Sequence, residues 1–204
     1  SYPQFSHGPR AATPALRFMT ALPQGMNPRT LALAQQMRAN PALAAGGTQA
    51  LVDAALQRLR TGGYEYTLEP GVYGEHTADE FWFDRKSGFC EHIASAFVVL
   101  MRAMDVPARI VTGYQGGERN PVDGYWTVRQ SDAHAWTEVW MEGPGWVRVD
   151  PTGAVSPGRV GQFQRGIRTG FLDVIAGNRD GVEARHVRGA VRDDVADDFH
   201  AGNG

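Results

Sequence analysis

Gly88-Phe89-Cys90-Glu91-His92, followed by Ile93, Ala94, Phe97, Val98, Met101 and Met104, is the stretch on which the reading of this chain turns. The apolar residues recur at helical spacing, which predicts a buried amphipathic helix from near Cys90 to about Asp105. Ser87 and Gly88 stand just upstream, where a helix takes its cap. The only cysteine of the chain therefore falls in the first turn of a core helix. Unpaired N–H groups and the positive end of the helix dipole favour a thiolate there. A free cysteine is equally at home as a small buried hydrophobe, so position alone does not make it a nucleophile.

Upstream, residues 1–26 carry scattered prolines and glycines without periodicity and read as an extended lead-in. Asn27-Pro28 reads as a helix start with a capping Asn, and Pro41 as its stop near Asn40. A second helix is expected from about Thr48 to Arg60, ended by Gly62-Gly63, then a short strand over 64–68 and a helical turn over 79–83. Downstream the period changes to two. Strands are expected over 108–115, 125–130, 133–141 and 146–149, with a loop over 116–124. Helices first and an antiparallel meander after them predict an α+β domain, the cysteine helix packed on the sheet. The expected organisation is a lead-in over 1–26, a domain over 27–160, and a weakly ordered, acid-rich tail over 161–204.

With 204 residues, 42% hydrophobic and 21% charged, the chain has ordinary globular composition. A net charge of −2 offers no basic face to nucleic acid or anionic lipid. One cysteine excludes an internal disulfide and leaves a structural zinc site short of thiolates. No run approaches the roughly 18 apolar residues of a membrane span, and the first residues lack a signal-peptide pattern. A soluble segment without membrane contact of its own is expected.

A cysteine nucleophile needs a base, and the base an orienting group. Among the six histidines, His92 lies about 200° around the helix from Cys90 and points away from it. His7, His76, His186 and His200 lie near the ends or in loop-like segments, whereas His134 opens a core strand. Two carboxylates compete to orient it. Asp150 ends the next strand, held extended by Pro151. A four-residue turn over 142–145 would pair Met141 with Trp146 and leave Asp150 about 10 Å along from His134 on the opposite face. A bulge between Met141 and Asp150 is then required. Asp132 shares His134's face without any bulge.

Three segments together, "GFCEH", "SDAHAWTEVW" and "GWVRVDPT", resemble the transglutaminase-like superfamily, and most of all the extracytoplasmic core of bacterial membrane-anchored members. The resemblance spans roughly 79–158 and extends plausibly to 27. It implies a papain-like core in which Cys90 is the nucleophile, His134 the general base and acid, and Asp150 the orienting carboxylate. It also implies attack on protein or peptide amides through a thioester, resolved by an amine or by water. Animal relatives use calcium, but this chain shows no ligand loop of the required spacing, so no metal is expected, and no cofactor. Transfer is the first expectation and a cysteine protease or amidohydrolase the alternative; a peptide-binding module that only kept the fold ranks below both. A periplasmic setting and a monomer acting on protein substrates are expected. Trp82, Tyr114, Trp126 and Trp136 are the available walls for a substrate channel, although no substrate-binding residue is assigned. The tryptophan that animal relatives place well before the cysteine is not carried over onto this chain, Trp82 being too close in sequence.

Overall fold

The structure, a computed structural model, describes residues 13–158. Pro14–Thr20 forms a 3₁₀ helix whose Leu16 is buried with Trp140 and Trp146, so this part of the lead-in is helical and packed rather than extended. Helix α1 spans Pro28–Ala39, α2 Pro41–Ala45 and α3 Gly47–Thr61. Pro41 does more than stop α1. The Asn40 side chain accepts a hydrogen bond from the Ala42 N–H at 3.0 Å, and Pro in the first turn has no donor to lose, so a new helix begins.

The expected strand over 64–68 shrinks to β1, Glu65–Tyr66. Helix α4, Thr77–Asp79, runs straight into a π-helical turn over Glu80–Arg85, longer at both ends than the sequence suggests. Lys86, at φ 52°, breaks it and lets Ser87–Gly88 extend as β2 in parallel pairing with β1. Ser87 and Gly88 are therefore strand residues, and Phe89 occupies the N-cap position of helix α5, Cys90–Ala103. Buried on nearly every side, α5 carries Ile93, Ala96, Phe97, Leu100 and Met101 into one core with Trp82, Val52 and Leu59. The Trp82 indole donates to the Ala96 carbonyl at 3.0 Å, satisfying the one polar atom that this large side chain brings inside.

After α5 come β3 (Ala108–Tyr114), β4 (Glu118–Arg119), β5 (Trp126–Thr127), β6 (Ala133–Met141), β7 (Gly145–Val149) and the short α6 (Thr152–Val155). The main sheet is antiparallel in the order β3-β6-β7. The expected strand over 125–130 is not part of it. Only Trp126–Thr127 pairs, with Glu118–Arg119, in a separate ribbon, and Gln130–Asp132 turns as a 3₁₀ helix. Alternation misleads here because no second layer among the described residues covers the ribbon: Tyr125, Trp126 and Val128 are all exposed. The tail over 161–204 and residues 1–12 lie outside the described residues.

Asn27 was read as the cap of α1, but its backbone is left-handed (φ 54°) and its side chain caps another helix. Asn27 Oδ1 accepts from the Ala78 and Asp79 N–H groups of α4 at 3.0 and 3.3 Å. Asp79 reciprocates by accepting from Arg29 N, Thr30 N and Thr30 Oγ1 at 2.9, 2.7 and 2.6 Å. Two helix starts thus satisfy each other's orphan donors through buried side chains. Asp79→Ala should destabilise the fold by about 3 kcal/mol, read as a lowered urea midpoint at unchanged slope.

Candidate active site

The strand pair β1–β2 fixes where α5 begins. Glu65 N bonds Lys86 O at 2.8 Å and Thr67 N bonds Gly88 O at 2.9 Å, so the segment entering the helix is held on both sides of Ser87. The first intrahelical bond runs from Ile93 N to Phe89 O at 3.1 Å. The N–H groups of Cys90, Glu91 and His92 therefore lie ahead of the helical ladder. Gly88 is dictated by packing, since a Cβ there would come within 2.7 Å of the His92 Cβ. His92 does turn away from the thiol: its ring packs on Tyr73 and Phe89, with centroids 4.6 and 4.4 Å apart. Burial holds its pKa below the ordinary histidine value, and its buried Nδ1 has no hydrogen-bond partner among the described residues.

Cys90 sits in a small apolar cluster with Ala94, Ala135 and Phe89. Burial alone would push its thiol up. Hydrogen bonds with His134, the Ala135 backbone and the Glu91 backbone, together with attraction to the imidazole, outweigh that and hold the pKa below the usual thiol value. His134 stands at the start of β6, itself buried, and its Nε2 lies 2.8 Å from Asp150 Oδ2. That leaves Nδ1 as the ring nitrogen available to the thiol. Burial opposes the charged imidazolium, but Asp150 and Cys90 prevail and raise its pKa to about 9. The two shifts run in opposite directions, and both favour a thiolate–imidazolium pair.

Asp150 reaches His134 without the expected bulge. Met141 pairs with Gly145, not Trp146, and Thr137 with Val149. The turn is one residue shorter than the glycines and proline suggest, because Gly143 and Gly145 both adopt positive φ (87° and 81°) and close it within three residues. A shift of one register step moves every side chain of β7 to the other face. Asp150 therefore continues the strand onto His134's face, diagonally across from it. Thr137 Oγ1 donates to Val149 O at 2.6 Å and pins that register beside the site. Asp132, the competing carboxylate, is committed elsewhere: its Oδ2 accepts from Arg129 N at 2.8 Å within its own turn.

Neither His76 nor His92, the other described histidines, is bonded to the thiol or to Asp150. His76 Nδ1 accepts from Asn27 N, and His7, His186 and His200 lie outside the described residues. Trp82 is no channel wall, being fully buried. Tyr114 and Trp126 are exposed, whereas Trp136 lies beside the site with its ring 6.2 Å from that of His134 at an interplanar angle of 25°. Arg148, which sequence reasoning passed over, also reaches the site, with Nη2 3.3 Å from Asp150 Oδ2. Its alternation with Asp150 on one strand was the available signal. Among the described residues no group of three or more histidine, cysteine or carboxylate side chains is placed to hold a metal ion.

A helix-borne thiol facing a strand-borne imidazole and a carboxylate at the next strand's end, in an α+β fold, fits the transglutaminase-like class. The family model described as the transglutaminase-like superfamily matches residues 32–151, and the chain belongs to that superfamily. It is 48% identical over 141 residues to the protein-glutamine gamma-glutamyltransferase of Pseudomonas aeruginosa, covering 69% of this chain and 20% of that protein. It is 40% identical over 82 residues to the uncharacterized protein YebA of Bacillus subtilis, covering 38% of this chain and 11% of that protein. The crystal structure of the periplasmic domain of TgpA from Pseudomonas aeruginosa superposes with a TM-score of 0.70 at 44% identity, over 77% of this chain and 54% of that one. The chain thus spans only a fraction of the curated relatives it matches. No helix among the described residues is long and apolar enough to cross a membrane.

The electrostatics fix a pH dependence. Alkylation of Cys90 by iodoacetamide should titrate with a midpoint below that of an ordinary thiol. His134→Ala removes both the hydrogen bond and the attraction while leaving the burial, so the midpoint should move up. Rates of carboxamidomethylation across pH 5–10, followed by intact mass, check both expectations.

Proposed function

We propose that this chain is a cysteine acyltransferase acting on protein or peptide amides, with Cys90 as nucleophile, His134 as general acid and base, and Asp150 as the group that orients the imidazole. The observation carrying this reading is the single imidazole bonded to Asp150 through Nε2 while it faces the thiol. The Cys90 thiolate attacks the carboxamide carbon, and the carbonyl π electrons move to oxygen. The Cys90 N–H, ahead of the helical ladder, is the natural donor to that oxyanion. As the tetrahedral intermediate collapses, the C–N bond breaks and His134 passes its proton to the departing nitrogen. Ammonia or an amine leaves, and the acyl group remains on sulfur as a thioester. The now neutral imidazole takes a proton from the incoming amine or water as it attacks, and the thiolate departs.

Transfer to an amine is favoured by the likeness to a protein whose name is protein-glutamine gamma-glutamyltransferase. Hydrolysis, seen as deamidation or peptide cleavage, is the second reading. It is supported by the openness of Tyr114 and Trp126, which are 54% and 67% exposed and build no roof against water. No step of this chemistry calls on a metal or cofactor. The reading places the domain outside the cytoplasm, as in the periplasmic relative, working as a monomer on polypeptide substrates and not on nucleic acid.

Incubation of casein with a fluorescent primary amine tests the choice. Covalent labelling that vanishes in Cys90→Ala is expected, whereas new peptide termini without label would replace transfer with proteolysis. Asp150→Ala should lower turnover by up to about 10⁴-fold, and Asp132→Ala should leave it nearly unchanged. The reverse ranking would move the orienting role to Asp132.

A further inference from the structure

The sheet face behind the His134–Asp150 pair carries an organised row of charges and rings. Glu138 sits between Arg109 on β3 and Arg148 on β7 in the strand register. Its carboxylate is taken by Arg109, whose Nε and Nη2 donate at 2.8 and 2.6 Å. Arg148 leans the other way. Its guanidinium stacks 4.3 Å from the centre of the Trp136 ring, and its Nη2 reaches Asp150 Oδ2 at 3.3 Å. Trp136 lies nearly parallel to the His134 ring, and the bare Gly113 opposite His134 makes room for it, since a Cβ there would meet the indole at 2.9 Å.

Asp150 depends on this arrangement. Among the described residues its carboxylate has two hydrogen-bond donors, His134 and Arg148, and both go to Oδ2, while Oδ1 is buried without a partner. With His134 alone, the carboxylate would be held at one point by the group it is meant to orient. We infer that Arg148, braced on the Trp136 ring, is a positioning residue that fixes the Asp150 carboxylate against His134. The inference rests on the functional reading above, in which that imidazole carries the protons. Arg suits the task because its flat guanidinium can stack and donate at once, which a lysine ammonium cannot.

Positioning and simple charge have opposite signatures at His134. The groups facing its ring are Cys90 from α5 and Asp150 with Arg148 from β7; on β3 the opposing residue is Gly113, and Asp132 is bonded to its own turn. A cation near an imidazole opposes its protonation, so losing Arg148 as a charge alone would raise the His134 pKa. Losing it as a brace would let the carboxylate drift and lower that pKa.

The test is an NMR titration of ¹⁵N-histidine-labelled protein in a Cys90→Ala background, where the imidazole titrates without the thiol. Arg148→Met should lower the His134 midpoint by about one unit, and Arg148→Lys should lower it as well, because charge is kept but the stacked plane is lost. An unchanged or raised midpoint in Arg148→Met overturns the inference, and so does full retention of the wild-type value in Arg148→Lys. Arg148 is partly exposed, so folding should survive either change. The titration uses no substrate, so failure here leaves the acyl-transfer reading standing, and failure of amine incorporation leaves this result interpretable.

Discussion

The register between β6 and β7 is the constraint on which the rest of the site depends. With Met141 opposite Gly145, His134, Trp136, Arg148 and Asp150 share one face of the sheet, and the imidazole–carboxylate bond closes at 2.8 Å without distortion. One step of slippage would send Asp150 and Arg148 to the opposite face together. Thr137, fully buried and bonded to the Val149 carbonyl, resists that slip at the pair nearest the site. Positive φ at Gly143 and Gly145 resists it at the turn. Chemistry at one end of the sheet is thus specified partly by backbone angles at the other.

The helix bearing the thiol is held with equal care. Its Phe97 and Met101 share one core with Trp82, Val52 and Leu59, so α5 cannot rotate without opening that core. The Asn27–Asp79 exchange ties α1 to the start of α4, and the π-helical turn that follows brings the Trp82 indole onto a carbonyl in the middle of α5. A buried polar network with every partner supplied favours one arrangement over its neighbours. Here the arrangement chosen is the one that keeps Cys90 facing the sheet.

Much of this was legible in the chain. Residues Ile93 to Met104 show a helical stripe that survives unchanged in the fold, and the alternation over 133–141 marks the strand that carries His134. The failures share a cause, which is that pattern speaks of local geometry and not of what lies across from it. Asn27 before Pro28 does stand at a helix start, but its partners are some fifty residues away and belong to another helix. Alternation over 125–130 is real, yet none of the described residues covers either face. The turn between β6 and β7 was misread by a single residue, and only that residue distinguished a site needing a bulge from one needing none. The order of cysteine, histidine and aspartate along the chain could be matched by resemblance; the shared oxygen of Asp150 could not.

The excursion from Tyr114 to Asp132 is pinched shut at its base, where Gln115 N bonds Asp132 O at 2.6 Å and β3 and β6 come together. Beyond that clamp the ribbon touches the sheet's register nowhere, and its tip turns on Asn120 and Gly124 in open solvent. Lengthening such a loop costs little, about 0.6 kcal/mol for each doubling. The fold therefore separates two kinds of constraint: the imidazole and its carboxylate are locked in place by the sheet register, while the aromatic arm beside them can lengthen or shorten at little cost.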